Sequence, residues 1–370
     1  MRNVIILLSL TLFFISTTKT CEVIEPDVIL SESIGNVVAL KQVLSENNNL
    51  VVITLTDKVQ VWQNTTGSWQ ADTLELLCKP ISMQVITDPV TQRPDIIVGA
   101  QSCFKSDNGI FVLYQQDKEN WQAYSSDVID NTGAFYNINA FVTPNNYLDV
   151  TATGTKNNRI YFFEWAEKQW FEISCLPRPD SNATTVLETF YLPNGTSCLA
   201  NENSNESMLD LWSRTAEGWQ LSQQISNNCS DVTVYDYLIT DSLPTLVAGC
   251  DSGILLTSQL ANNSTWSEPD YTKAHSSAIS TLSHVEQNGI VILVSGSYDG
   301  TIKLWQRVNN GWELLHTVCI PGEVLILAVG PTSNSANTTL AVAAGYRAAS
   351  YAQAHNCTLG LWYIDSSQTY

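Results

Sequence analysis

Positive charge is scarce in this chain. Its 370 residues hold 17 Lys and Arg against 36 Asp and Glu, a net charge of −19. A run of phosphates would find almost nothing to neutralise it, so a general nucleic-acid binder is excluded. Long hydrophobic runs are missing too. The one sustained apolar stretch, Val4 to Ile15, is too short to span a bilayer, so no transmembrane segment is expected. Short catalytic and ligand motifs are equally absent: there is no GxSxG, no HExxH, no phosphate-binding loop, and no CxxC or Cys/His cluster with metal spacing. With only four histidines, His275, His284, His316 and His355, no Ser/His/Asp or Cys/His nucleophile arrangement emerges, and neither a cofactor nor a metal is expected.

What is present first is an export signal. Arg2 supplies a positive n-region, Val4 to Ile15 the apolar core, and Ser16, Thr17, Thr18 and Thr20 the small residues of a cleavage region. Residues 1–20 are expected to be removed and residues 21–370 to form the mature domain, secreted, periplasmic or extracellular. Cys21 stands where a lipoprotein cysteine would, but TKTC carries Lys inside the box, so a lipid anchor there is the minor alternative.

The rest of the chain is organised around Val291 to Trp312, VILVSGSYDGTIKLWQRVNNGW. Val291 to Ser295 is a β-branched run of strand length, SYDG is turn chemistry, and Thr301 to Trp305 alternates Ile302 and Leu304 with Thr301 and Lys303. A second turn at NNG precedes a strand from Trp312 to Val318, and Ala278 to Val285 offers a fourth strand upstream.

Degraded copies recur every 45 to 57 residues: an apolar strand, a polar turn, a strand ending in an aromatic, and a Trp further on. Trp62, Tyr114, Phe163, Trp212 and Trp305 are each followed seven residues later by Trp, at Trp69, Trp121, Trp170, Trp219 and Trp312. In the third copy TGTKNNRIYFF aligns without gaps on SGSYDGTIKLW, which puts Thr153 for Ser295 and Asn157 for Asp299. The fifth copy has Thr257 at the aromatic position, and the seventh ends at Trp362 without an outer strand.

The unit resembles a blade of the WD-repeat β-propeller family, with the family's hydrogen-bonded tetrad falling on His275, Ser295, Asp299 and Trp305. The resemblance implies an all-β, seven-bladed propeller of four-stranded antiparallel blades, in which the tetrad is structural. The strand missing from the seventh copy is expected from the N-terminus, near Glu22 to Leu30, closing the ring without an open edge.

Within that arrangement the loop leaving an outer strand and the loop before a third strand emerge on one face. The nine cysteines of an exported chain are accordingly expected to pair as Cys78–Cys103, Cys175–Cys198, Cys229–Cys250 and Cys319–Cys357, leaving Cys21. Each bridge would stabilise by roughly 3 to 4 kcal/mol in the chain-entropy model. Nine Asn-x-Ser/Thr sequons, Asn64 and Asn263 among them, make the chain a candidate glycoprotein.

Candidate binding residues lie on the same face: Tyr346, Arg347, Tyr351 and His355 in the seventh copy, and Phe104 and Lys105 beside Cys103. Aromatics with Arg in a disulfide-framed loop have the composition of an interaction hot spot. The expectation is a secreted, monomeric, non-enzymatic scaffold for a protein or glycan partner. The alternative is a propeller hydrolase or lyase working at the mouth of the central channel.

Overall fold

Seven sheets, each of four antiparallel strands, follow one another along the chain at 39–74, 79–125, 135–177, 187–226, 232–273, 279–319 and 322–365. These blades, numbered one to seven, come from a computed structural model. It describes residues 23–31, 37–44, 50–65, 68–75, 79–87, 94–103, 106–115, 121–125, 135–142, 148–154, 159–166, 169–177, 187–203, 207–229, 231–261, 265–287, 289–308, 311–331, 339–348 and 357–365. The expected export signal at residues 1–20 and Cys21 lie outside the described residues. No described helix is long and apolar enough to cross a membrane.

The first strand of every blade touches the first strand of the next, and Ala39–Leu44 of blade one touches Gly322–Pro331 of blade seven, so the sheets form a closed ring. Blade seven takes its outer strand from the other end of the chain, as expected. Val28–Ser31 pairs antiparallel with Thr358–Asp365, Val28 opposite Leu361 and Ile29 opposite Gly360. Two further bonds hold that junction: Trp362 Nε1 donates to Ile24 O at 3.1 Å, and Tyr363 N donates to Asp27 Oδ2 at 2.6 Å.

Each blade alternates apolar side chains into two interfaces, one with each neighbour, which is why the second strands read as nearly continuous buried runs. In Leu243–Cys250 every residue after the first is buried, and in Ile290–Ser297 every residue after the second. Adjacent blades approach closely where glycine removes a side chain. A Cβ on Gly249 would lie 2.8 Å from Ile279 of the next blade, and one on Gly296 would lie 2.6 Å from Val324.

A hydroxyl latch repeats at the same interfaces. Thr233 Oγ1 donates to Gly249 O of its own blade or to Ile279 O of the next, and Ser280 Oγ does the same with Gly296 O and Val324 O. Each latch follows the first residue of an inner strand, where the register slips by one. The bulge turns the hydroxyl toward the neighbour while the ladder on either side stays paired.

The recurrent outer-strand tryptophans serve the same junctions. Trp219 of blade four stacks on Phe162 of blade three with ring centroids 4.4 Å apart, and Trp266 of blade five meets Phe190 of blade four edge-on at 5.8 Å. Trp312 of blade six reaches Thr257 of blade five. Trp219, Trp266 and Trp312 are thus aromatic wedges, each driven into the preceding blade.

Candidate functional site

The tetrad forms in blade six. His275 Nε2 lies 2.7 Å from Ser295 Oγ, which also accepts from Trp305 Nε1 at 2.8 Å. On its other side His275 Nδ1 is 3.2 Å from Asp299 Oδ2, and Asp299 accepts from Ser276 N at 2.9 Å and Thr301 Oγ1 at 2.6 Å. Burial lowers the His275 pKa. Burial would raise that of Asp299, but hydrogen bonds from His275, Thr301 and Ser276 outweigh it and hold the carboxyl far below the usual range. Every polar atom here is engaged within the blade, so the cluster fastens the strand connections rather than facing a ligand.

Blade four keeps one bond of this set, with Trp212 Nε1 donating to Asn201 Oδ1 at 2.9 Å. Blade three departs from the gap-free alignment. Ala152, not Thr153, stands opposite Tyr161, as Ser295 stands opposite Lys303. The blade-three turn has one more residue than the blade-six turn, which shifts the second strand by one place; Asn157 lies outside the described residues.

The cysteine pairs are partly as expected. Cys229 and Cys250 are bonded, Cα atoms 5.8 Å apart, joining the loop after blade four's outer strand to the end of blade five's second strand. Cys175 and Cys198 are free thiols, which corrects that pairing. Cys198 opens the second strand Ser197–Asn203, whereas Cys250 closes the second strand Leu243–Cys250, so Cys198 sits at the opposite end of its blade, away from the face that Cys175 approaches. Each thiol has its own neighbour: Arg159 Nη1 donates to Cys175 Sγ at 2.8 Å, and Cys198 Sγ lies 3.7 Å from Ser213 Oγ.

The expected Cys319–Cys357 bridge is also corrected. Cys357 is a free, buried thiol, while Cys319 is disulfide-bonded elsewhere. The N-terminal segment reaches Cys319 first: Val23 bridges it in parallel, and Ile24 N donates to Cys319 O at 2.7 Å. Cys78 lies outside the described residues, as do the side chain of Cys103 and the half-cystine bonded to Cys319.

Of the candidate binding residues, Phe104, Lys105, Tyr351 and His355 lie outside the described residues. Tyr346 is 4% exposed, its ring 5.8 Å from that of Trp362, so it belongs to the core of blade seven and not to a binding surface. Alternation along Thr339–Ala348 accounts for this, because Tyr346 shares the parity of Leu340, Val342 and Ala344, which fills the interface with blade six, while Ala341 and Ala343 face the other neighbour.

Arg347 points the other way. It is exposed and donates from Nη2 to Glu323 Oε2 at 2.6 Å. Tyr298, 46% exposed in the turn between the second and third strands of blade six, is near enough to act on its charge. Tyr298, Glu323 and Arg347 all sit at the end of the blades where Cys250 emerges. In the sequence Tyr298 stands out only as part of a turn; its position between two buried strands is the signal of its exposure.

The axis of the ring holds a second candidate, a cavity of about 520 Å³ lined by the inner strands of every blade. Lys41, Asn139, Glu188, Asp236 and His284 bring polar groups to it. His284 Nδ1 lies 2.9 Å from Asp236 Oδ2, and that carboxylate raises the imidazole pKa. Burial, then repulsion from Asp236, pushes Glu188 up to about 8, against smaller opposing effects of Asn139, Lys41 and His284. A carboxyl still protonated near neutrality can donate a proton or a hydrogen bond. No group of three or more His, Cys, Asp or Glu among the described residues is arranged to hold a metal ion.

No family model and no curated protein matches the chain. Among solved structures, BBS1N in complex with ARL6DN, soaked with lead, is similar at TM-score 0.62 and 12% identity, over 91% of this chain and 94% of that one. At that identity the likeness is one of fold: the chain is a seven-bladed β-propeller.

Proposed function

We propose that this chain is an exported, monomeric, WD-repeat-like scaffold that binds a protein or glycan partner without transforming it, through the face where Cys229–Cys250 emerges. The observation that carries the reading is the exposed Tyr298, Arg347 and Glu323 group spanning blades six and seven on that face. Arg and Tyr are the residues that anchor interfaces, because each combines a broad apolar surface with directed hydrogen bonds. The similar propeller, BBS1N, is found in complex with ARL6DN, which supports a binding role by analogy of fold. Export is supported by the disulfide and by the leader-like composition of residues 1–20.

The test is affinity capture of partners with the mature domain, repeated with Arg347→Ala and Tyr298→Ala. The reading expects a partner retained by the parent protein and by a change on the opposite face, such as Val308→Ser, but lost with either substitution. Retention by all variants overturns it for this face.

A second reading, a hydrolase or lyase at the channel mouth, is supported by one observation, the raised Glu188 carboxyl beside Asp236 in the axial cavity. It predicts turnover in a panel of glycoside and ester substrates that Glu188→Gln abolishes while leaving partner capture intact. No turnover across such a panel counts against it.

A further inference from the structure

On the face opposite the cysteine loops, a cavity of about 380 Å³ opens between blades five and six. Its walls are Ile239, Ile290 and Val291, and at its base lies Arg307. The Arg307 side chain is only 4% exposed, yet neither Nε nor Nη1 has a hydrogen-bond partner. Nη2 reaches Gln259 Oε1 at a marginal 3.4 Å and Asp270 Oδ2 at 3.8 Å. The guanidinium is held in place from behind by the Trp312 ring, 5.5 Å from centroid to Cζ. A buried guanidinium with two open nitrogens is costly unless an acceptor meets them, and its fork suits a carboxylate.

The rim has the opposite sign. Asp241 and Glu286, both exposed, line the same cavity. With Asp270 they outnumber the single cation, so an anion alone would be repelled at the entrance and a cation alone would be repelled at the base. Asp241 and Ser242 are held at φ of 52° and 63° in a turn that glycine or asparagine would adopt more readily, so the carboxylate is presented at some conformational cost.

We propose that this groove binds a ligand of the basic amino-acid class, free or at a peptide C-terminus, with its carboxylate on the Arg307 guanidinium, its cation against Asp241 and Glu286, and its aliphatic stem along Ile239 and Ile290. A volume of about 380 Å³ suits a ligand of that size. The site is separate from the Tyr298 and Arg347 face, so the two readings fail independently.

Titration calorimetry with Nα-acetyl-lysine tests the assignment against two analogues, Nα-acetyl-lysinamide, which lacks the carboxylate, and Nα-acetyl-norleucine, which lacks the cation. Saturable binding of the parent compound is expected, weakened by about tenfold or more in the amide, as for loss of a charge-assisted hydrogen bond. The norleucine analogue is expected to bind several-fold more weakly. Arg307→Gln should reproduce the loss seen with the amide. Because Arg307 also covers Trp312, Asp241→Asn, on an exposed turn, provides a second variant that leaves the core untouched and should reproduce the loss seen with norleucine. Equal affinity for acid and amide overturns the proposal, as does the absence of saturable binding at millimolar concentrations.

Discussion

The indole N–H of Trp312 in blade six donates to the Thr257 hydroxyl of blade five at 2.9 Å, and both residues are buried. Thr257 occupies the position where blade six itself has Trp305, each opposite an apolar residue of its second strand, Val247 and Leu293. The small residue in one blade makes room for the wedge from the next. Trp312→Phe keeps most of the wedge but leaves a buried hydroxyl unpaired, and should cost about 1 to 3 kcal/mol. Trp312→Ala also leaves a cavity and should cost about 3 to 5 kcal/mol. Urea denaturation of both variants measures the difference; a Trp312→Phe variant as stable as the parent would mean that the hydrogen bond contributes nothing, and equal losses in the two variants would mean that the ring packing contributes nothing beyond it.

Glu188 sets a pH dependence with a definite sign. Its folded pKa of about 8 lies above that of an unfolded glutamate, so the folded protein holds this proton more tightly. The associated stability is fully present below the unfolded pKa, about 4.3, and is lost as pH rises through the folded value. Glu188→Gln removes that loss. The melting temperature of the variant should therefore match the parent below about pH 4.3, exceed it increasingly up to about pH 8, and hold a constant excess above that. His284 also has a raised pKa and loses its contribution as pH rises, so the comparison must be between variant and parent at each pH. A constant difference across the range would show that Glu188 is ordinarily ionised.

The cysteine arrangement gives a direct chemical readout. Alkylation of the denatured, unreduced protein should label Cys175, Cys198 and Cys357 and spare Cys229, Cys250 and Cys319. Replacing Cys229 and Cys250 together by Ser should cost about 3 kcal/mol in the chain-entropy model for a loop of this length. Peptide mapping that finds Cys175 joined to Cys198 would contradict the opposite placement of those residues in their blades.

The ring itself is legible because blade geometry writes itself into the sequence at fixed intervals. Aromatic strand ends, the Trp seven residues on and the strand missing from the last copy all follow from one unit repeated about an axis. The tetrad can be read for the same reason, since Ser295 and Trp305 lie on two strands joined by the turn that carries Asp299, with His275 in the loop before the blade, and the hairpin sets their spacing. Cys198 is misplaced by sequence phase because a position just before or just after a short strand differs by a whole strand length in space, and the degenerate fourth copy does not resolve the two. Tyr346 is misassigned because it keeps the parity of Leu340, Val342 and Ala344 and so continues the interface with blade six, while Arg347 on the other face lies at the exposed tip of the strand. The axial cluster cannot be read at all: Lys41, Asn139, Glu188, Asp236 and His284 come from five blades, and only closure of the ring brings them together.

Closure can be tested at one glycine. Gly360, in the third strand of blade seven, pairs with Ile29 of the N-terminal strand, and a Cβ there would lie 2.8 Å from the Trp362 ring and 2.9 Å from Pro26 Cβ. Neither neighbour can give freely, because Trp362 is 2% exposed and bonded to Ile24 O, and Pro26 leads into the strand itself. Gly360→Val should therefore push Val28–Ser31 off the sheet, at a cost of about 1 to 3 kcal/mol from overpacking. It would also uncover the edge of Thr358–Asp365, and an uncovered edge recruits other strands. Light scattering should show dimers or larger species for Gly360→Val, and proteolysis should remove the N-terminal segment faster than in the parent. Gly311→Ala is the control, since a Cβ at Gly311 meets nothing within 4 Å. If the two variants are equally stable and equally monomeric, the N-terminal strand is not what holds the last blade to the first.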